Sequence, residues 1–354
     1  MRDAHPPIED HGIIGDLQTV ALVGLDGAID FMCAPRFDSP PVFAALLDRE
    51  RGGVFELAPL LNGARRKQLY LPETNILLTR FLSPHGVAEI SDFMPLGESE
   101  RFRCVVRRVK AVRGDLRFRA RCAPRFGYGP AAHRVERTDD GALFIPESGD
   151  VRVRLYASIP IEIEDGDAVA EFALPHGHSA YFVVDAGDVR ADGRRATPQG
   201  ISRVFKETAN FWREWIGRSS YTGRWRDEVH RSALVLKLLV SQPHGSLVAA
   251  PTFSLPENIG GTRNWDYRYT WIRDAAFTLY ALIRLGMTDE TAAFMRWIEE
   301  LPHDPDSPVG PLQPLYRIDG KTDVHEEELD WEGYRDSRPV RIGNGAAAQC
   351  QMDI

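Results

Sequence analysis

The chain has 354 residues, 43% of them hydrophobic, and carries a formal net charge of −8 with an isoelectric point of about 5.7. This length is too great for one ordinary domain, so two domains are expected. The basic residues are scattered singly, which excludes the electrostatic surface of a nucleic-acid binder and disfavours binding to anionic membranes. No stretch approaches the ~18 continuous apolar residues of a membrane span.

The N-terminus and the cysteines indicate a soluble, cytoplasmic protein. The opening sequence MRDAHPPIEDHG lacks the apolar core of a secretory signal. The four cysteines, Cys33, Cys104, Cys122 and Cys350, lie far apart without CxxC spacing, so we interpret them as buried free thiols. We therefore expect no metal and no cofactor.

Roughly the first 200 residues have the pattern of β-structure. Apolar and polar residues alternate with a period of two, which marks strands with one buried face. The predicted strands include ILLTRFL (76–82), LRFRARCA (116–123), VRVRLYA (151–157) and AYFVVDAG (180–187). In TVALVGLDGAIDFM (19–32), Asp26 and Gly27 give a hairpin signal between two apolar runs. Many short strands separated by turn residues predict an antiparallel sandwich.

From about residue 203 the apolar spacing changes to three and four, which predicts helices. The predicted helices are 204–217, 225–242, 271–285, 288–301 and a further one that begins near 343. The first is interpreted as a linker helix stopped by Gly217, and Thr288 is the expected N-cap of the fourth. Residues 302–343 are predicted as a long loop at the rim of a site.

Aromatic and polar residues alternate in GTRNWDYRYTWIRDAAFTLYALIRLG (261–286). A pyranose has apolar C–H faces that stack on aromatic rings, and hydroxyls that need both donors and acceptors. Arg273 supplies a rigid fork of donors and Asp274 accepts, so this pair can grip two neighbouring hydroxyls of one sugar. From composition alone, an aromatic helix entrance that fills core fits equally well, and such residues also occur at protein interfaces.

Three blocks of the sequence resemble bacterial glycoside hydrolase family 15, which contains glucoamylases, glucodextranases and trehalases. Residues 250–286 resemble the start of its catalytic domain, residues 13–48 the opening of the β-sandwich before that domain, and residues 333–354 a third block. The resemblance implies a multidomain β-then-α fold. Its expected parts are a super-β-sandwich (1–200), a linker helix (201–223) and the first part of an (α/α)6 barrel (224–354).

The resemblance also implies a sugar site. The substrate-binding residues that it implies are Tyr267, Trp271, Arg273, Asp274, Arg341 and Asn344. The Arg and Asp of the W-x-R-D motif would hold hydroxyls of the terminal glucose, and Trp271 would form a wall of its pocket. Tyr267 would lie near the sugar and the attacking water. The residues of PVRIGN would line the pocket and reach toward the next sugar.

The family hydrolyses α-glucosidic bonds with inversion, using one glutamic acid as general acid and one glutamate as general base. The resemblance places both beyond Ile354, so no catalytic residue is assigned and the chain, an N-terminal fragment in this interpretation, is expected to be inactive alone. The acidic run HEEELDWE (325–332) is interpreted as a solvated loop rather than as the acid–base pair.

The leading hypothesis from the sequence is a glucoamylase-type exo-hydrolase that releases glucose from α-glucans. A trehalase of the same family is the alternative, so the expected partner is an α-glucan oligosaccharide or trehalose. An alternative from another class is a non-catalytic carbohydrate-binding or structural fragment. The RNWDYRYTWIRD block argues against a disaccharide phosphorylase of similar layout, and no oligomeric state is predicted.

Overall fold

The structure is a computed structural model that describes residues 5–97, 104–129, 132–187, 197–302, 312–349 and 351. Up to residue 187 the regular elements are mainly strands. They are β1 (His11–Gly15), β2 (Val20–Gly24), β3 (Ala28–Cys33), β4 (Pro41–Phe43), β5 (Val54–Pro59), β6 (Arg65–Tyr70), β7 (Leu77–Ser83), β8 (Gly86–Phe93), β9 (Cys104–Arg113), β10 (Leu116–Ala123), β11 (His133–Thr138), β12 (Gly141–Pro146), β13 (Arg152–Ala157), β14 (Glu162–Glu164), β15 (Asp167–Leu174) and β16 (Ser179–Gly187).

These strands form two eight-stranded antiparallel sheets that pack face to face. The first has the order β1-β2-β3-β5-β10-β15-β14, with β4 beside β3, and the second has the order β11-β12-β13-β16-β9-β8-β7-β6. Phe55 of the first sheet meets Phe182 of the second edge to face, with ring centroids 5.9 Å apart. The prediction of a β-sandwich is thus confirmed at the level of its two sheets.

The predicted hairpin turns between β2 and β3 at Asp26 and Gly27. Gly27 has a φ of +86°, and a Cβ there would lie 2.3 Å from the carbonyl oxygen of Leu57. A side chain at this position would therefore clash with β5, which explains why the turn uses glycine. The interpretation of the cysteines as buried thiols holds for Cys33, Cys104 and Cys122, which are buried and form no disulfide, and Cys350 lies outside the described residues.

The helices of the second half are α1 (Pro198–Ile216), α2 (Arg226–Leu238), α3 (Ile272–Arg284) and α4 (Asp289–Glu299). Helix α1 begins earlier than its apolar spacing predicts, because the Thr197 hydroxyl accepts a hydrogen bond from the amide of Gly200 at 3.1 Å and caps the helix. Thr288 is the N-cap residue of α4, as expected, although its side chain makes no capping hydrogen bond. Among the described residues, none of the helices has the length and apolarity that a membrane crossing requires.

Short strands lie between α2 and α3 and after α4. They are β17 (Phe253–Pro256), β18 (Asn264–Asp266), β19 (Thr270–Trp271), β20 (Leu315–Tyr316), β21 (Glu327–Leu329) and β22 (Val340–Ile342). The prediction of a long loop over 302–343 was therefore wrong in part, because strands of two or three residues have too few repeats to show a period; residues 303–311 lie outside the described part. Near residue 343 the expected helix is a single 3₁₀ turn over Gly345–Ala348, and residues 350 and 352–354 lie outside the described part.

The sandwich and the helices share one buried apolar cluster. Its members include Leu17, Val20 and Phe37 from the sandwich, Trp212, Trp215 and Ile216 from α1, Leu234 and Leu238 from α2, and Leu282 from α3. Because this cluster is continuous across the boundary, the helices are held in a defined position against the sandwich. The rings of the aromatic segment 261–271 pack against residues of the second half, and Arg268 of the same segment donates a hydrogen bond to the Ser39 carbonyl in the sandwich.

Candidate sugar-binding site

A cavity of about 420 Å³ lies beside the aromatic segment. Its lining residues are Arg263, Trp265, Tyr267, Trp271, Glu326, Asn344, Gly345, Ala346 and Gln349. They come from three stretches of chain: the segment around β18 and β19, the residue before β21, and the 3₁₀ turn after β22. Three of the residues implied by the family resemblance, Tyr267, Trp271 and Asn344, therefore lie together around one cavity.

The segment from Asn264 to Arg268 has its polar residues buried and its aromatic residues turned to the cavity. Asn264, Asp266 and Arg268 are fully buried, whereas Trp265 and Tyr267 are half-buried and line the cavity. Side chains of an extended segment alternate between its two faces, so this sequence places all its rings on the cavity side. The aromatic surface that the sequence predicted is thus directed at an open space.

Tyr267 and Trp271 form two adjacent walls, with ring centroids 6.2 Å apart and planes inclined by 49°. Burial raises the pKa of Tyr267, and the charge of Glu257 raises it further. The phenol is therefore neutral near pH 7 and able both to donate and to accept a hydrogen bond.

The indole of Trp271 carries an unused hydrogen-bond donor. The residue precedes the first turn of α3 and is 6% exposed, and its Nε1 atom has no hydrogen-bond partner among the described residues. A buried N–H group without an acceptor is unfavourable, so such groups in native proteins call for an explanation. A ligand hydroxyl in the neighbouring cavity would supply the acceptor.

Arg273 and Asp274 lie in the first turn of α3, adjoining Trp271 but outside the set of residues that line the cavity. Their side chains are paired, with Arg273 Nε 3.4 Å from Asp274 Oδ1, and are 37% and 42% exposed. The Arg273 guanidinium carbon lies 5.6 Å from the Trp271 ring centroid, and its Nη1 donates to Gln351 Oε1 at 3.2 Å. The role of this pair in holding glucose stays a prediction.

Arg341 supports the cavity from behind. Its guanidinium carbon lies 4.7 Å from the Trp265 ring centroid, and its Nη1 donates to the carbonyl of Thr262 at 2.8 Å. Its Nη2 donates to Glu328 Oε1 at 3.1 Å, and its Nε lies 3.4 Å from Glu326 Oε1. Because these donors contact protein groups, the described geometry makes Arg341 a support for Trp265, and its predicted contact with a second sugar stays untested.

Asn344 lines the cavity with its amide already bonded on both sides. Its Nδ2 donates to the carbonyl of Asp266 at 3.1 Å, and its Oδ1 accepts from the amide of Ala346 at 3.0 Å, which caps the 3₁₀ turn. The side chain therefore joins the 3₁₀ turn to the aromatic strand, and its predicted role toward the sugar likewise stays a prediction.

Glu326 is a lining residue that the sequence did not identify. Its Oε2 accepts from the amide of Gly345 at 2.9 Å, it pairs with Arg341, and its side chain is 29% exposed. The acidic run is solvated as interpreted, since Glu326, Glu327 and Glu328 are all exposed, but Glu326 also contacts the 3₁₀ turn and Arg341. The contact arises because β21 pairs with β22, and this pairing cannot be predicted from the local sequence.

The remaining candidates for a ligand site are weaker. A larger groove of about 980 Å³ lies between the sandwich and residues 330–338, but its lining contains no Phe, Tyr or Trp. Its charged residues largely pair with each other, as Arg49 does with Glu332 and Arg51 with Asp330. Among the described residues, no group of three or more His, Cys, Asp or Glu side chains is placed to hold a metal ion.

The chain thus consists of a β-sandwich followed by helices, with an aromatic-lined cavity formed by residues of its second half. Residues 1–168 match the family described as trehalase-like, N-terminal, and residues 223–354 match the glycosyl hydrolases family 15. Residues 223–354 therefore belong to glycosyl hydrolase family 15, behind a trehalase-like N-terminal region.

Curated relatives match nearly the whole chain. Trehalases of Thermoplasma volcanium, Thermoplasma acidophilum and Mycolicibacterium smegmatis are 35%, 37% and 34% identical over 99%, 94% and 100% of it. The chain spans about half the length of these relatives, 56% of each. A bacterial glucoamylase solved in complex with acarbose matches 90% of the chain and 53% of its own length, with a TM-score of 0.66 at 11% identity. This last likeness shows a common fold.

Proposed function

We propose that the cavity beside Trp271 is part of the glucose pocket of an α-glucoside hydrolase, and that the substrate of this hydrolase is trehalose. The observation that carries the proposal is the combination of three rings, from Trp265, Tyr267 and Trp271, with an unpaired buried indole N–H at one cavity. Rings of this kind stack on the apolar faces of a pyranose, and the N–H donates to a hydroxyl that the sugar brings with it.

The relatives favour trehalose over α-glucans, which reverses the order of the two hypotheses drawn from the sequence. The curated relatives reported above are named trehalase, at 34–37% identity over almost all of this chain. The glucoamylase neighbour is only 11% identical, so it supports the fold and leaves the substrate open. Both substrates present an α-linked terminal glucose, and the first subsite therefore fits either of them.

The finer architecture belongs to the same proposal. We infer that residues 1–200 form the sandwich domain, that 201–223, which include most of α1, connect it, and that 224–354, with α2, α3 and α4, begin an (α/α)6 barrel. The general acid and general base that an inverting hydrolase requires are assigned to no residue of this chain. A cytoplasmic location also remains a prediction from the sequence.

The decisive experiment is a substrate comparison with the protein from the complete reading frame that contains these residues. Trehalose and maltooligosaccharides are offered separately, glucose release is measured, and NMR follows the anomer formed first. We expect trehalose to give the higher kcat/KM and the first product to include β-glucose, as inversion at an α-bond requires. Preference for maltooligosaccharides would restore the glucoamylase hypothesis, and release of glucose from neither would reject the proposal.

A tryptophan substitution tests the location of the site. Trp271→Phe keeps an aromatic ring but removes the indole N–H, so we expect kcat/KM for trehalose to fall by about tenfold, the effect of one lost hydrogen bond of about 1.4 kcal/mol. Trp225→Phe is the matched control, because Trp225 is 54% exposed and lies outside the cavity lining. Equal effects of the two substitutions would place the sugar elsewhere.

A non-catalytic carbohydrate-binding fragment is the second candidate, since the described residues provide a cavity without an assigned acid–base pair. Titration of the 354-residue chain with trehalose, followed by tryptophan fluorescence, tests it. Saturable quenching that Trp271→Phe weakens, together with no glucose release by the protein from the complete reading frame, would support binding without catalysis.

A further inference from the structure

Arg268 connects the β-sandwich to the strand that carries the cavity rings. Its side chain is 1% exposed, and three of its contacts are with the sandwich. Nη1 donates to the carbonyl of Ser39 at 2.8 Å and to the sulfur of Cys33 at 3.4 Å, and Nη2 donates to the hydroxyl of Tyr128 at 3.1 Å. A planar guanidinium with several bonds is fixed in position and orientation.

The same guanidinium holds Asp266, which in turn holds the opposite side of the cavity. Arg268 Nε and Nη2 donate to the two oxygens of Asp266 at 2.9 and 2.6 Å. Asp266 Oδ2 also accepts from the amide of Gly343 at 3.1 Å, and its carbonyl accepts from the Asn344 side chain at 3.1 Å. A continuous series of hydrogen bonds, which we call the hydrogen-bond relay, therefore leads from the sandwich through Arg268 and Asp266 to the 3₁₀ turn that lines the cavity.

Tyr128, one hydrogen-bond partner of Arg268, has an unfavourable backbone conformation. Tyr128 has a φ of +59°, a region that non-glycine residues seldom adopt. Burial raises the pKa of its hydroxyl to about 12, and the nearby Arg268 charge opposes this rise. The tyrosine therefore stays neutral and accepts the Arg268 bond throughout the physiological pH range.

We propose that Arg268 is a positioning residue through which the β-sandwich fixes the geometry of the cavity. It does not touch the cavity itself, but the two residues on either side of Asp266, Trp265 and Tyr267, present their rings to it. Small displacements of site residues have large effects on binding and rate, so a fixed strand has functional value. The functional part of this inference rests on the sugar site proposed above, whereas the hydrogen-bond relay does not.

The first test measures the relay without any sugar. Amide hydrogen exchange at Gly343 and across residues 344–349 is compared in the full chain, in Tyr128→Phe and in Arg268→Lys. Tyr128→Phe removes a single acceptor and preserves the ring, so folding is retained. We expect exchange at Gly343 to be about tenfold faster in this variant, and faster still in Arg268→Lys.

Arg107→Lys is the matched control, because Arg107 also forms a fully buried pair with an aspartate but has no bond to the cavity segments. Exchange at Gly343 is compared at equal distance from each variant's unfolding midpoint. Faster exchange in the Arg268 and Tyr128 variants but not in the control is the expected result. Unchanged exchange at Gly343 in both variants, or an equal effect of the control, overturns the relay.

The second test uses turnover of trehalose by the protein from the complete reading frame. We expect Tyr128→Phe to lower kcat/KM several-fold with little change in the melting temperature, and Arg107→Lys to lower the melting temperature with little change in kcat/KM. If the wild-type protein has no glycosidase activity, the proposed sugar site is rejected. The hydrogen-bond relay is then judged from the exchange experiment alone. A normal kcat/KM in both Tyr128→Phe and Arg268→Lys overturns the functional role of Arg268.

Discussion

Two buried arginine–aspartate pairs show how one chemical unit serves two purposes in this chain. Arg107 Nε donates to Asp92 at 2.8 Å inside the sandwich, and Arg268 Nε donates to Asp266 at 2.9 Å at the edge of the cavity. Both arginines also bond backbone carbonyls, and both pairs are at most 1% exposed. What differs is the structure that each pair connects.

The Arg107 pair joins the two sheets of the sandwich. Its Nη1 donates to the carbonyl of Phe55 at 2.8 Å and its Nη2 to the carbonyl of Gly27 at 2.6 Å, both in the opposite sheet or its turn. Burial raises the pKa of Asp92 even though the charge of Arg107 opposes the rise. The Arg268 pair instead joins the sandwich to the site, so the comparison separates global stability from local geometry.

The largest effect is expected when the sandwich pair is broken. Arg107→Ala leaves Asp92 buried without its partner and removes the bonds to Phe55 and Gly27, so the free energy of unfolding should fall by about 3–5 kcal/mol. Urea unfolding followed by far-UV circular dichroism measures it. Arg80→Ala removes a surface pair with Glu89 and should cost less than about 1 kcal/mol. Similar costs for the two would contradict the assignment.

Breaking the site pair should reduce both stability and site order. Asp266→Asn leaves the Arg268 charge uncompensated and weakens the bond from the Gly343 amide, so we expect a loss of about 3 kcal/mol. The rate of amide hydrogen exchange at Gly343 should increase by more than the loss of global stability alone would produce. Asp92→Asn is the control on the sandwich side, and a comparable change at Gly343 in that variant would remove the distinction between the pairs.

A partly exposed pair at the same cavity should matter less. Arg341 and Glu326 have side chains that are 13% and 29% exposed, so solvent screens their attraction. Glu326→Gln should lower the free energy of unfolding by about 1 kcal/mol or less. It should still mobilise the 3₁₀ turn, because the bond from the Gly345 amide weakens. If urea unfolding showed that Glu326→Gln lowers the free energy of unfolding by more than about 3 kcal/mol, the solvent exposure of an ion pair would not determine its contribution to stability.

The smallest effect is expected from a pair that depends on pH. His11 Nε2 lies 3.1 Å from Asp30 Oδ2, and although burial lowers the pKa of His11, the hydrogen bond and charge of Asp30 raise it above its usual range. The stability from this pair is therefore present below about pH 6.5 and is lost as the pH rises through the raised value. Between about pH 6 and pH 8 the wild type should lose more stability than His11→Gln. Parallel pH profiles would show that the pair contributes nothing.

Regular elements could be predicted from the sequence because their patterns are local. Strand β10 lies where LRFRARCA alternates, and α3 lies within the predicted 271–285. Helix α1 starts at Pro198 because of a capping hydroxyl that apolar spacing cannot reveal. The two- and three-residue strands after β16 were missed for the same reason, since a period needs several repeats to appear.

The candidate site was predicted in part, and the missing part is long-range. The aromatic residues of the segment could be recognised because they are close in sequence. Glu326 reaches the cavity only through the pairing of β21 with β22, and Arg268 meets Tyr128 across 140 residues of chain. Contacts of this kind depend on the tertiary fold, which a single sequence does not display.

The alternation from Asn264 to Arg268 has a consequence for how such a site can evolve. Residues that keep the strand in place and residues that face the cavity occupy different positions of the same five, with Asp266 and Arg268 on one side and Trp265 and Tyr267 on the other. A change of ring at position 265 or 267 leaves the buried bonds untouched. Single substitutions at these two positions can therefore change the ligand preference of the cavity at little cost in stability, so no earlier stabilising substitution is needed to offset them.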